Sequence, residues 1–434
     1  MTVKIVLVGG GGREDALGRL IVRTGAELIT VMSNHNPSLS SISSKTIKLT
    51  ESKPLDCIPE ILETKPDLVY IGPDGMLDTD LADKLSSNGI RVASPTRSAF
   101  RIESSKDYMR TLMKRYSIPG IVPFYVLDDG YEVEKIINET GREYAIKPVG
   151  LTGGKGVKVM GDQLPDRKSA ISYAKSILRK DKKVLLEEKI IGHEFSLQAF
   201  TDGTRISSMP IAQDYKRAYE GDLGPNTGGM GSITGADHSL PFLREDTPSK
   251  ALKIMKKILD SMSSDGNLFR GILYGQFMQT SKDLYLIEMN GRFADPEGMN
   301  VLTLFRGNIS DILFSIAEGK LSTNSESEFV NRATVLKYIV PRGYGENPVP
   351  GKLELDLSSM PDDLTIYYST VNGSLNEFEM TKSRAIALIS RAETIEQASA
   401  SVESNLWRIK GEYHIRHDIG SPQLMKRKQE MFTS

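Results

Sequence analysis

The sequence predicts a multidomain protein combining α/β and α+β parts. Three observations carry this. The 434-residue chain is long for one domain, and two to four are expected at the usual ~150 residues each. The first hundred residues alternate apolar runs with helix-period segments, the pattern of a small parallel α/β domain. Further on, two hairpins are expected, turning at Asp202-Gly203 and between Thr280 and Asp283, before a last α+β stretch.

Val3 to Val8 is a continuous apolar run, as in a strand buried on both faces. Gly9-Gly10-Gly11-Gly12-Arg13-Glu14 follows and opens a helix with Ala16, Leu17, Leu20 and Ile21 on one face, stopping at Gly25. Strands at Leu28–Met32, Asp67–Ile71 and Ile90–Ala93 and a helix over Met76–Leu85 continue the alternation. The glycine run is not a dinucleotide fingerprint. G-x-G-x-x-G needs a glycine at 14 or 15, where Glu14 and Asp15 stand, and Ser33-Asn34-His35 ends the second strand without an acid. This argues against a nicotinamide-dependent oxidoreductase. A glycine loop opening a helix remains, and its backbone N–H groups can receive a phosphate.

Ser104–Met113 reads as a linking helix carrying Lys106. Strands are expected at Phe124–Val126, Tyr144–Pro148, Val157–Met160 and Val184–Glu188, with helices at Val133–Glu139 and Arg167–Arg179. A second glycine loop lies between Lys147 and Val157. It is not a P-loop, since only three residues separate Gly150 from Gly154 and Gly156 follows Lys155. A glycine hairpin between strands can instead close over phosphates as a mobile lid, with Lys147 and Lys155 supplying charge. Gly224 to Gly231 shows no periodicity and reads as a loop whose amides could wrap an anion.

The densest chemistry is Tyr285 to Glu297, Y-L-I-E-M-N-G-R-F-A-D-P-E. Strand alternation puts Glu288 and Asn290 on one face, about 7 Å apart. Hard oxygen donors at that spacing suit Mg²⁺ or Mn²⁺ bound together with phosphates. A three-residue turn, Ser281 to Asp283, pairs Thr280 with Leu284 and sets Gln276 opposite Glu288 as a third donor. Arg292, Asp295 and Glu297 follow at once.

A helix at Ile309–Glu318 ends in Gly319, and Leu321 to Glu328 reads as a linker. Strands at Val335–Val340 and Arg384–Ile389 and a helix bearing Ile395, Ala398, Val402 and Leu406 complete the chain. Lys426-Arg427-Lys428 reads as a frayed, solubilising tail. A net charge of −1, with no basic domain, argues against nucleic acid as a partner. Nothing approaches the ~20 apolar residues of a membrane span. A single cysteine, Cys57, excludes an internal disulfide and fits a reducing cytoplasm, where it reads as packing rather than nucleophile.

Together these motifs resemble the glycinamide ribonucleotide synthetases of the ATP-grasp superfamily. The residues concerned are the G-G-G-G-R-E run, Gly72-Pro73-Asp74, Ser105-Lys106, Lys147 with Gly153-Gly154-Lys155-Gly156-Val157, Glu187-Glu188, Gly224 to Gly231, Glu288 to Glu297 and Asp418-Ile419-Gly420. The resemblance implies an ATP-grasp fold: an N-terminal parallel α/β domain (1–103), a linker helix (104–122), a lid subdomain (123–192), a central catalytic domain (193–325) and a small C-terminal α+β domain (326–434). It implies that ATP, glycine and 5-phosphoribosylamine give ADP, phosphate and glycinamide ribonucleotide, in purine synthesis. Because oxide is a poor leaving group, the glycine carboxylate is expected to be phosphorylated first. Arg292, Asp295 and Lys155 are expected at the reacting groups. Lys106, Lys147, Gly153 to Val157, Glu187, Glu188, Lys189, Ile190 and Glu194 are expected around ATP. Asp214 and Gly224, Pro225, Asn226 and Thr227 are expected to contact glycine and phosphoribosylamine, and Gly10, Gly11, Gly12, Arg13, Glu14 and Asp74 to contact phosphoribosylamine. Asp15 stands where the family usually has His, Ser33 to Pro37 where it has Ala-Pro-Gly-Asn, and Pro148-Val149 where it has Ala-Asp. Another ATP-grasp ligase or carboxylase is the alternative, and it would not need G-P-N-T-G-G-M-G.

Overall fold

The computed structural model describes residues 2–151, 156–322 and 328–431. Gly153, Gly154 and Lys155, and most of the expected linker after Leu321, lie outside the described residues.

The N-terminal sheet is parallel throughout. Its order is Lys45–Lys48, Glu27–Met32, Lys4–Val8, Leu68–Ile71, Arg91–Val92. Ile5 and Leu7 pack on the helix Gly12–Arg23, while Val6 and Val8 pack into the opposite layer. The first strand pairs with the second on one side and the fourth on the other, so the order reverses at its carboxyl end. Ligands of open α/β sheets bind at such a point, and both Gly9–Gly12 and Gly72–Asp74 lie there. The sequence reading missed the helix Pro37–Ile42 and the strand Lys45–Lys48. The helix is set by its cap: the Asn36 side chain accepts from the N–H groups of Ser38 and Leu39, with Pro37 at the first helical position. The edge strand buries Ile47 alone and shows almost no hydrophobic pattern. The expected helix Met76–Leu85 is two helices, Asp74–Leu77 and Leu81–Ser87.

The linking helix is also two, Arg97–Ser104 and Lys106–Arg115, broken at an extended Ser105. Beyond it a four-stranded antiparallel sheet runs Phe124–Leu127, Val184–Glu188, Tyr144–Pro148, Lys158–Val159. The last two strands flank the second glycine loop, as a hairpin requires.

A third sheet is ordered Ile206–Ser208, His193–Thr201, Gly271–Gln279, Leu284–Asn290. Gln276 does face Glu288. The turn, however, pairs Gln279 with Leu284, one residue out from the expected Thr280 pairing. A bulge between Gln276 and Phe277 on one strand and Leu286 and Glu288 on the other restores the register, with Ile287 as the extra residue. Arg110 donates to the carbonyls of Leu286 and Ile287 at 2.8 Å each and so supports the bulge from behind.

The fourth sheet joins Gln213–Asp214 and Gly231–Thr234 to Ala333–Ile339, Ile386–Ala392 and Leu364–Tyr368. It runs across the boundary expected at residue 326. A last sheet, Val371–Gly373, Glu377–Met380, Lys352–Leu355 and Ile409–Gly411, covers its far end.

Two readings are corrected. Gly224–Gly231 is not all loop, because Leu223–Asn226 is a strand paired with Arg217–Tyr219. The basic tail is not frayed either. Pro422–Glu430 is a helix whose cap Ser421 accepts from the Leu424 N–H, and the Lys428 side chain is only 14% exposed.

Candidate active site

The first glycine loop is built around Glu14. Its carboxylate accepts from the Gly11 N–H at 2.9 Å and fills the space that a Cβ on Gly9 or Gly72 would need. Gly9 also sits at φ +124°, so glycine is required there twice over. Burial pushes the Glu14 carboxyl up, against the pull of Arg13. Arg13 donates to the Phe293 carbonyl at 2.7 Å and lies 3.9 Å from Asp74, which ties this loop to the metal strand's end. The Gly10 carbonyl is held by Asn34 and Asn36, each at 3.1 Å. Asn36 donates to Tyr368 O as well, and Asp15 accepts from Ser38, Arg19 and the Tyr368 N–H. Asp15, which differs from the resembled family, and Asn36 thus bind the N-terminal domain to the strand Leu364–Tyr368.

On the opposite wall, Glu187 is fully paired. One oxygen meets Arg110 Nε at 2.5 Å and the other Lys147 Nζ at 2.5 Å. Burial works to raise this carboxyl, but the two cations hold it down at about 2. Lys106 at the start of its helix donates to the Gly150 carbonyl at 2.8 Å, so it lies at the base of the second glycine loop. Gly156 accepts from the Tyr173 hydroxyl, and Val157 is half-buried beside it. Glu188 and Lys189 pair with Arg142 and Glu143 along the strand edge, and Ile190 is half-buried after them.

Glu288 stands between these walls. Burial raises its carboxyl, but Lys216, Lys147, Lys106 and Arg292 together bring it below the usual carboxylate range. Arg292 donates to Asn290 Oδ1 at 3.2 Å and pairs with Glu103 at 3.1 Å. Glu103 is buried, accepts from the Gly291 N–H at 2.7 Å and is pushed up to about 7, chiefly by burial. Asp74 faces Arg292 and Arg13, which outweigh its burial and lower it.

A second carboxylate group lies across the strand. Glu194 pairs with Lys216 and accepts from Gln276 Nε2 at 2.9 Å. The Gln276 oxygen accepts from the Tyr274 hydroxyl. It can therefore reach an ion only by exchanging that hydroxyl. Asp214 and Glu297 are both pushed up, first by burial, and Glu297 adds to the rise at Asp214. Asp214 Oδ1 has no hydrogen-bond partner. Thr227 seats the loop Gly224–Thr227 by donating through N and Oγ1 to the Lys216 carbonyl, at 2.8 Å each, and Gly224 O accepts from Arg217 at 2.8 Å. Asp295 is enclosed by Tyr338 at 2.7 Å and Arg384 at 3.1 Å, which locks the segment after the strand Leu284–Asn290 to the C-terminal part.

The structure therefore gathers Arg13, Asp74, Lys106, Lys147, Glu187, Glu288, Asn290 and Arg292 into one connected charge network. It holds Asp295 in an internal network and turns Glu188 and Lys189 to the strand edge. Glu103, Arg110, Lys216, Tyr274 and Arg384 were missed. Lys216 left a trace in the Q-D-Y-K-R run of residues 213–217, and Tyr274 shares a strand face with Gln276; Glu103, Arg110 and Arg384 take their positions from distant segments.

A divalent ion suits this donor set. Glu288 is held below the usual carboxylate range, and Asn290 carries an amide oxygen that accepts from Arg292 and, like that of Gln276, reaches an ion by exchanging its present partner. One carboxylate and amide oxygens beside a cation-rich cleft describe an ion that completes its shell with phosphates and water, as Mg²⁺ does.

Residues 3–103 match the family model for the N domain of phosphoribosylglycinamide synthetase, and residues 104–298 the model for its ATP-grasp (A) domain. A phosphoribosylamine–glycine ligase of Pyrococcus horikoshii is 41% identical over 431 residues, covering 99% of this chain and 97% of that protein. One of Methanocaldococcus jannaschii is also 41% identical, covering 99% and 98%. The crystal structure of the Thermotoga maritima phosphoribosylamine–glycine ligase aligns with a TM-score of 0.79 at 26% identity, over 96% of this chain and 100% of that one. The biotin carboxylase domain of Hydrogenobacter thermophilus 2-oxoglutarate carboxylase, solved with MgADP, shares the fold at a TM-score of 0.78 and 16% identity, over 100% and 98%.

Proposed function

The chain belongs to the phosphoribosylglycinamide synthetase family, and from that premise we propose how its residues perform the reaction, the ATP-dependent joining of glycine to 5-phosphoribosylamine in purine biosynthesis. The observation that carries the reading is the ring of Lys106, Lys147, Lys216 and Arg292 about Glu288. Four cations around one ionised carboxylate match a triphosphate with its divalent ion.

Glu288 and Asn290, with Gln276 as third donor, would hold Mg²⁺ or Mn²⁺, which would supply positive charge against the triphosphate. Lys106 and Lys147 neutralise the remaining phosphate oxygens, and Lys155 is assigned to the same work. Glu187 holds Lys147 in place through an ion pair of 2.5 Å. The strand edge from Glu187 to Ile190 meets the adenine, and Glu194 the ribose. Arg292, paired with Glu103, is assigned to glycine's carboxylate as that group attacks the γ-phosphorus. A planar, permanently charged guanidinium suits both the carboxylate and the acyl phosphate it becomes. Asp214, lacking a donor on Oδ1, takes the glycine ammonium, with Thr227 and its neighbours beside it. Gly10 to Glu14 and Asp74 bind phosphoribosylamine, whose amine then displaces phosphate. Asp295 acts by holding the strand end rather than by touching substrate. The division into domains at 103, 122, 192 and 325 belongs to the same proposal, as does a cytoplasmic setting. The latter is supported by the lone reduced cysteine and by the lack, among the described residues, of any helix long and apolar enough to cross a membrane.

Cys57 is no nucleophile here: it is buried, donates to Pro54 O, and burial pushes its thiol up to about 11. Glycine's own carboxylate must therefore attack ATP, and one of its oxygens leaves with phosphate. With glycine labelled by ¹⁸O in both carboxyl oxygens and phosphoribosylamine present, the released phosphate carries one heavy oxygen. Unlabelled phosphate, with product still forming, would overturn the roles given to Arg292 and Glu288.

A further inference from the structure

The substrate loop is carried by a hairpin that cannot fix itself. Arg217–Tyr219 and Leu223–Asn226 form a two-stranded sheet of their own, and such a hairpin is marginal alone. Its turn holds Gly221, Asp222 and Gly224 at φ of 71°, 60° and 80°. A non-glycine residue stays in that region only when its surroundings hold it. The outer side of the hairpin, with Leu223, Gly224 and Asn226, is exposed.

The inner side is gripped by the end of the chain. Arg416 is wholly buried. It donates Nε and Nη2 to the two oxygens of Asp418 at 2.9 and 2.7 Å, and Nη1 to Asp222 at 2.9 Å and to the Arg217 carbonyl at 3.2 Å. Asp418 accepts from the Gly221 N–H at 2.9 Å. Arg427, from the helix Pro422–Glu430, reaches Asp222 at 3.2 Å, and Lys428 lies 3.9 Å from it. Arg416 and Lys428 both stand over the Tyr215 ring, beside Asp214. Gly221 and Asp222 are thus each tied to groups between residues 416 and 428.

We propose that Arg416 and Asp418, backed by the C-terminal helix, are positioning residues that set the loop Gly224–Thr227 for the small substrates. This gives Asp418-Ile419-Gly420 and the basic tail a task that neither nucleotide nor metal binding requires. The proposal rests on reading Gly224–Thr227 as a substrate contact.

The test measures KM for ATP, glycine and phosphoribosylamine, kcat, melting temperature and hydrogen exchange in residues 219–226. Arg416→Lys keeps the charge but cannot span both carboxylates as a fork. Asp222→Asn is the milder variant, partly exposed and tolerant of the left-handed region. Both should raise KM for glycine or phosphoribosylamine by about tenfold, the scale expected for a misplaced binding group, while leaving the ATP KM unchanged and speeding exchange in the hairpin. Unchanged KM values in well-folded variants would overturn the proposal. So would three KM values rising together with a fall in melting temperature, which marks a merely structural role. Asn226→Ala and Thr227→Ala separate the two readings. If they leave KM unchanged, the substrate reading of the loop has failed and takes the proposal with it. If they raise KM while Arg416→Lys and Asp222→Asn do not, the clamp alone is wrong.

Discussion

The cleft's two walls handle buried charge in opposite ways. At Glu187 both carboxylate oxygens are paired, one with Arg110 and one with Lys147, each at 2.5 Å. Around Asp214 and Glu297 the carboxylates crowd one another, and Asp214 Oδ1, Asn290 Nδ2 and Arg292 Nε are buried without hydrogen-bond partners. A saturated network fixes geometry, whereas an unsaturated one costs stability until something completes it. The first wall is therefore scaffold for Lys147, and the second is where ligands finish the structure.

Removing a completing group should cost activity and not fold. Glu288→Gln should lower kcat by roughly a thousandfold, the several kcal/mol of charge stabilisation that metal ligation supplies. Its melting temperature should stay at the wild-type value. Near-normal turnover would remove Glu288 from the metal site and the second wall from the comparison.

Removing a scaffold group should do the reverse. Glu187→Gln leaves Arg110 and Lys147 buried without a counter-charge, and about 3 kcal/mol of stability should be lost in denaturant titration. The same triad sets an acid limit. The Glu187 carboxyl lies at about 2 in the folded chain against 4.5 ordinarily. A carboxyl lowered by folding stabilises above its unfolded value, so this contribution is whole above pH 4.5 and fades as pH falls from there towards 2. Glu187→Gln should flatten the loss of stability over that window, and an unaltered acid profile would show that the triad is not what fails.

The smallest expected effect sharpens the contrast. Asp214→Asn removes a buried carboxylate that lacks a donor, so melting should be unchanged or slightly raised. KM for glycine should rise by about tenfold, the ~1.4 kcal/mol of one charge-assisted hydrogen bond. Equal KM for glycine in the variant would count against the ammonium contact.

Much of this was legible in the sequence, and the failures have definite causes. The alternation of the first hundred residues gives the parallel sheet because its three central strands bury both faces. The pairing of Gln276 with Glu288 was reached from a turn one residue out of register, and the bulge at Ile287 cancels that error. Glu103 was invisible, since it meets Gly291 from 188 residues away. The basic tail was misread for the same reason. Three cations in a row look solvated until Asp222, 205 residues before Arg427, is brought beside them. Short-range pattern finds strands and loops; which charges are shared is decided by contacts that local pattern does not carry.

The sheet that crosses residue 326 also governs the order of assembly. The strand Gly231–Thr234 is flanked by the two-residue strand Gln213–Asp214 on one side and by Ala333–Ile339 on the other. Its main partner is made roughly 100 residues later, which at synthesis rates of about 5–20 residues per second is a wait of several seconds or more. The two four-stranded sheets complete by Asn290 can form first, so that part of the chain can fold before Gly231–Thr234 and Asp214 beside it gain their main support.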